Sequence, residues 1–146
     1  GKREMLLSDF FELDGMTRNV LQPGELVSHI TLPSESSELT GCYHKLTLRD
    51  SWDFPEAGIA AAWKLNGKKI STLKIASTGL ESIPRVHDDE VAEVLPNWRG
   101  KESIEALSEA LRKSIKPVNN TGLKPNYRRK MVKVLARRCL NQIMHE

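Results

Sequence analysis

Between residues 57 and 77 apolar and polar positions alternate in two runs. Ala57 to Leu65 places Ile59, Ala61, Trp63 and Leu65 on one side of an extended chain, and Lys69 to Ser77 does the same with Leu73 and Ile75. Asn66-Gly67 separates the runs. Asn-Gly between β-compatible segments is a strong hairpin signal, and a type I′ turn, with positive φ at both central residues, is expected there. Upstream, Cys42 to Arg49 reads as another strand. Glu25 to Leu32 also alternates, with Leu26, Ser28, Ile30 and Leu32 on one face, and reads as a strand stopped by Pro33. The polar stretch 34–41 reads as a linker.

After Gly79 the spacing becomes helical. Asp88 or Asp89 is expected to cap a short helix carrying Val91, Val94 and Leu95, closed by Pro96. Ile104, Leu107, Leu111 and Ile115 draw one apolar stripe on a second helix, which Pro117 ends. A last helix, starting near Asn126, is expected to bury Tyr127, Met131, Val134, Leu135 and Leu140. Strands come first and helices follow. That segregation predicts an α+β fold: an antiparallel sheet of three to four strands with about three helices packed on one face.

Composition narrows the functional classes. A chain of 146 residues is one domain's worth, and 39% hydrophobic with 28% charged residues suits a globular, soluble protein. Aromatics at 5% argue against a stacking surface for single-stranded nucleic acid. Of the 22 basic residues, eight lie between Lys116 and His145, where there is no acid; the remaining 14 face all 19 acids. Such a basic end suits an anionic partner, or equally an acidic surface of its own fold. No specific nucleic-acid partner is expected from it. The longest apolar run, Ile59 to Trp63, is too short for a bilayer, so no membrane partner is expected. With no signal peptide or dense cysteine framework, the cytoplasm is the expected compartment. A start at Gly1 without methionine is expected of an excised or processed piece.

Catalytic signatures do not emerge. Glycine-rich phosphate loops, GxSxG and HExxH are all missing, so no catalytic residue is expected. Cys42 and Cys139 are far apart, and His29, His44, His87 and His145 are scattered, so neither a metal site nor iron–sulfur ligation is expected. The densest polar and aromatic stretch is His44 to Pro55. On a strand, Lys45 and Arg49 would share a face and could hold a flavin edge, a phosphate or a carboxylate. The alternative is a solvated face balanced by Asp50 and Asp53. The residues alone leave both readings open.

Four groups of residues, in order, resemble the C-terminal domain of the FAD-binding (medium) subunit of the molybdenum hydroxylases, the family of xanthine dehydrogenase and carbon monoxide dehydrogenase flavoproteins. The first is Asp9-Phe10-Phe11 with Leu21 to Leu26 and Ile30-Thr31-Leu32-Pro33. The second is Tyr43-His44-Lys45 with Arg49, leading to Asp53 and the alanine-rich run Ala57 to Trp63. Ile75 to Gly79 with Pro84-Arg85 is the third, and Tyr127-Arg128-Arg129, Val132, Leu135 and Arg137-Arg138 the fourth.

The resemblance implies that residues 1–33 are the tail of a preceding FAD-binding domain with a linker strand, and that 34–146 are the flavoprotein C-terminal domain. It implies FAD as cofactor, held mostly by that preceding N-terminal domain. Iron–sulfur clusters and the molybdenum cofactor would sit on partner subunits. The implied role is to help enclose the flavin and pass electrons to an acceptor; a stand-alone binding or subunit-assembly module is the alternative. Lys45, Arg49 and Asp53 become the expected cofactor-binding residues, with Lys45 near the flavin ring and Arg49 at the mouth where the acceptor approaches. Trp52 and Pro55 depart from the family pattern and leave acceptor and subfamily open, and the domain does not choose among the family's substrates.

Overall fold

A computed structural model describes residues 1–50 and 52–145; Ser51, within the expected site stretch, and Glu146 lie outside the described residues. Four strands form one antiparallel sheet in chain order: β1 (Thr40–Leu46), β2 (Ala57–Asn66), β3 (Lys69–Thr78) and the two-residue β4 (Arg85–Val86). One helical turn, α1 (Leu7–Phe10), precedes the sheet, and α2 (Asp88–Val94), α3 (Lys101–Ser114) and α4 (Pro125–Gln142) follow it. This is the expected α+β arrangement.

The alternation along the hairpin decides which face is covered. Ile59, Ala61 and Trp63 of β2 and Leu73 and Ile75 of β3 are buried beneath the helices. α4 lies across β1 and β2, α2 lies on β3, and α3 packs against both helices. The expected stripe Ile104, Leu107, Leu111 and Ile115 is buried throughout. Burying one such side chain contributes about 1.5–3 kcal/mol, so this layer supplies much of the driving force for folding.

Several local expectations are corrected. The hairpin forms, but Asn66 pairs with Lys69, so the loop is Gly67-Lys68. Among the described residues only glycines have positive φ, and Gly67 is at +60°. A type I′ turn needs two such residues; a single glycine at the first loop position is the type II′ pattern. Residues 25–32 form no strand: Leu26, Ile30 and Leu32 are exposed, and an alternating segment without a partner gains no ladder bonds. The expected linker contains a 3₁₀ turn (Ser34–Glu38), and β1 starts at Thr40 and stops at Leu46, short of Arg49.

The helices differ in detail as well. Asp88 and Asp89 occupy the first turn of α2 after His87 and do not cap it; there their charges favour the positive end of the helix dipole. α4 buries Leu135 and Leu140 as expected, but Met131 and Val134 are only half-buried. Val132, Leu135, Ala136, Cys139 and Leu140 are buried together with Arg128, whereas Tyr127 is exposed. The basic end of the chain meets an acidic surface of its own fold. Lys133 of α4 reaches Glu105 at 2.5 Å and Glu109 at 3.3 Å on α3, and Arg137 lies 3.5 Å from Glu105.

Candidate functional site

Helices cover one face of the sheet, and the other carries small side chains along its middle, Gly58, Ala60, Ala62 and Ala76, with Tyr43, Lys45, Lys64 and Lys74 around them. Direct partners in an antiparallel sheet share a face, so Tyr43, Ala60, Ala76 and Val86 form one cross-strand row and Lys45, Gly58 and Thr78 the next. Tyr43 Oη lies 3.4 Å from Thr78 Oγ1, above Gly58. A Cβ at Gly58 would come within 2.5 Å of both oxygens, so glycine lets the two hydroxyls meet there. Tyr43 and Thr78 thus close over Gly58, and with Lys45 they are the polar groups at this end of the face, beside the small Ala60 and Ala76. The face suits a flat apolar ring with a polar edge.

The three site residues expected from the sequence come together at one end of this face, though by a different route. Lys45 is on β1, and Arg49 lies beyond the strand in the turn that follows. They converge because Asp53 folds back between them. Lys45 Nζ donates to the Asp53 carbonyl at 2.9 Å, and Arg49 Nη2 donates to Asp53 Oδ1 at 2.9 Å. The same carboxylate accepts the backbone N–H groups of Leu48 (3.2 Å), Arg49 (3.0 Å) and Phe54 (2.9 Å). Asp53 thus organises the whole turn. Its side chain is 12% exposed, against 68% for Arg49, so the guanidinium faces outward from an anchored base.

The Arg49 guanidinium, aided by the N–H groups of Arg49 and Phe54, holds the Asp53 carboxyl down at about 2. The bonds to the charged form outweigh the opposing effect of desolvation. Because the pKa is depressed on folding, the carboxylate's contribution is complete above the ordinary value of 3.8 and is lost as pH falls through about 2. Amide resonances of Leu48 and Arg49 should therefore hold steady above pH 4 and shift with a midpoint near 2. A midpoint near the ordinary aspartate value would mean that Asp53 is not paired.

Two groups escaped the sequence reading. Arg128, from the fourth motif, is fully buried beside Glu56 under the end of the sheet. On the helix-covered face of β1, Cys42 and His44 lie beside Cys139 of α4. Cys-x-His on an alternating strand was the available signal, because residues two apart share a face.

The family described as the CO dehydrogenase flavoprotein C-terminal domain matches residues 42–143. The chain belongs to this family. Among curated relatives, the glyceraldehyde dehydrogenase medium chain of Sulfolobus acidocaldarius is 26% identical over 143 residues, covering 98% of this chain and 50% of that protein. Among solved structures, the reconstituted CO dehydrogenase from Oligotropha carboxidovorans aligns with a TM-score of 0.77 at 22% identity, over 94% of this chain and 47% of that one. Quinoline 2-oxidoreductase from Pseudomonas putida 86 aligns with a TM-score of 0.66 at 14% identity, over 80% and 39%. These two likenesses are of fold. This family member thus spans about half the length of the relatives it matches. Among its described residues no helix is long and apolar enough to cross a membrane.

Proposed function

We propose that this chain forms one wall of a FAD site, laying the uncovered sheet face and the Lys45–Arg49–Asp53 turn against a flavin held mostly by a preceding domain. In this reading residues 1–33 are the tail of that domain and 34–146 the wall. The exposed Leu26, Ile30 and Leu32 suit a segment that other protein covers. One observation carries the proposal: the sheet face opposite the helices brings Tyr43, Thr78 and the small Ala60 and Ala76 together, with Lys45 and the Asp53-anchored turn at its edge. Tyr43, Thr78 and Lys45 can hydrogen-bond the edge of a flavin ring. No glycine-rich loop in the sequence suits the pyrophosphate. FAD supplies the redox chemistry when bound; the residues here position it and set its electrostatic surroundings.

The whole subunit would then pass electrons from a molybdenum hydroxylase to an acceptor, with the molybdenum cofactor and iron–sulfur clusters on partner subunits. The chain alone should bind FAD weakly or not at all. The check is the flavin absorbance retained after the folded chain is incubated with FAD and desalted. Near-stoichiometric retention would contradict the assignment of the pyrophosphate site to a preceding domain. A second reading, an assembly module without a redox role, is favoured by the closed Arg49–Asp53 pair, which leaves the guanidinium already matched.

A further inference from the structure

Cys42, His44 and Cys139 come from two elements that the fold brings together. Cys42 and His44 sit two apart on the edge strand β1, opposite Ala61 and Ile59, and both face the helices. Cys139 reaches the same spot from α4, with its Sγ 3.5 Å from the Ile59 carbonyl. One ligand atom from each of the three residues lies within 4.8 Å of the others. Gln142, one turn on from Cys139, places its Nε2 3.2 Å from His44 Nε2, a contact in which the amide donates.

We infer that Cys42, His44 and Cys139 form a binding site for a zinc-like soft divalent ion, clipping the edge strand to the last helix. Two sulfurs and one imidazole nitrogen are the donor set that suits zinc and disfavours magnesium or calcium, which take oxygen. Around tetrahedral zinc, with metal–sulfur bonds of about 2.3 Å, the sulfurs sit roughly 3.8 Å apart, so a modest closure from the observed spread completes the triad. The fourth position is left for water. Binding displaces one proton from each thiol to solvent, and no oxidant is consumed. Cys42 and His44 are half-buried, which gives the ion a way in, while Cys139 is fully buried and fixes the inner ligand. His44 adjoins Lys45, so the ion would also pin the strand that carries the proposed flavin contact, although the site stands independently of that reading.

The test is to titrate the fully reduced 146-residue chain with Co²⁺ alone, without oxygen, and then with Zn²⁺. The expected result is a sulfur-to-cobalt charge-transfer band that saturates at one ion per chain and is abolished by zinc. Cys42→Ser should remove most of the band, and His44→Ala should weaken zinc binding by at least roughly tenfold while keeping a sulfur-to-cobalt band. Both positions are half-buried, so circular dichroism should show both variants folded. Zinc should raise the thermal midpoint of the unaltered chain and not that of Cys42→Ser. Absence of the band with both thiols reduced would overturn the site, as would unchanged zinc affinity in a folded Cys42→Ser or His44→Ala chain.

Discussion

Replacing Arg128 with methionine should destabilise the fold by about 3–5 kcal/mol, the cost of breaking a buried ion pair by removing one partner. The guanidinium is fully buried and bonded on every side. Nε donates to the Glu56 carbonyl at 2.7 Å, Nη1 to the Val118 carbonyl at 2.7 Å and to Asn120 Oδ1 at 3.2 Å, and Nη2 to the Gly79 carbonyl. The Glu56 carboxylate, itself buried, lies 3.7 Å from Nε. One side chain thus ties the start of β2, the end of β3 and the loop before α4. Methionine fills similar volume but leaves those acceptors without a donor, each an uncompensated desolvation cost. Lysine would keep the charge without the planar fork. Urea unfolding should show the loss; a change below about 1 kcal/mol would mean that water replaces the guanidinium.

Gly79→Ala should cost about 2–4 kcal/mol net, for two reasons that act together. Gly79 has φ +71°, where an L side chain is strained, and a Cβ there would lie 2.6 Å from the Pro55 carbonyl oxygen. That oxygen belongs to the backbone and has no rotamer by which to retreat. The alanine's smaller unfolded-state entropy returns only about 0.4–1 kcal/mol. Gly67→Ala is the internal comparison: its φ is +60°, but nothing lies within 4 Å of the added carbon, so only the strain of about 1–2 kcal/mol remains. Equal losses at the two glycines would show that the contact with Pro55 is not the cause.

Legibility in the sequence follows the range of the interactions involved. The β2–β3 hairpin and α3 were readable because their signals are local: alternation flanking Asn66-Gly67, and a stripe at helical spacing from Ile104 to Ile115. Residues 25–32 carried the same alternation but found no neighbouring strand, and alternation alone forms no sheet. The expected set for α4 is right at Leu135 and Leu140 and wrong at Tyr127, Met131 and Val134, because two stripes overlap and Arg128, Val132 and Cys139 lie on the buried one. Only a buried arginine distinguishes that stripe, and arginine is rarely buried unless paired. Its carbonyl partners come from three distant parts of the chain. The ordered motif singles out Lys45, Arg49 and Asp53, and the geometry that joins them depends on a turn beyond the strand. The approach of Cys42 to Cys139 is wholly tertiary.

The central claim is that the Lys45–Arg49–Asp53 end of the sheet faces the flavin. The direct test is the reduction potential of FAD in the complete subunit, for Lys45→Ala and Arg49→Ala against the unaltered protein, with acceptor kinetics and thermal stability measured alongside. A cation near the ring stabilises the negative charge that reduction places there. Lys45 donates to a backbone carbonyl, so its charge is not cancelled in that bond, and removing it should lower the potential by roughly 30–60 mV. Arg49→Ala should act more on the acceptor step, since its guanidinium is the more outward group. Folding should be nearly unchanged in both, because exposed cations contribute little stability. If both variants keep the unaltered potential and acceptor rate while losing stability, the cluster is only a brace for the turn after β1, and the flavin lies elsewhere.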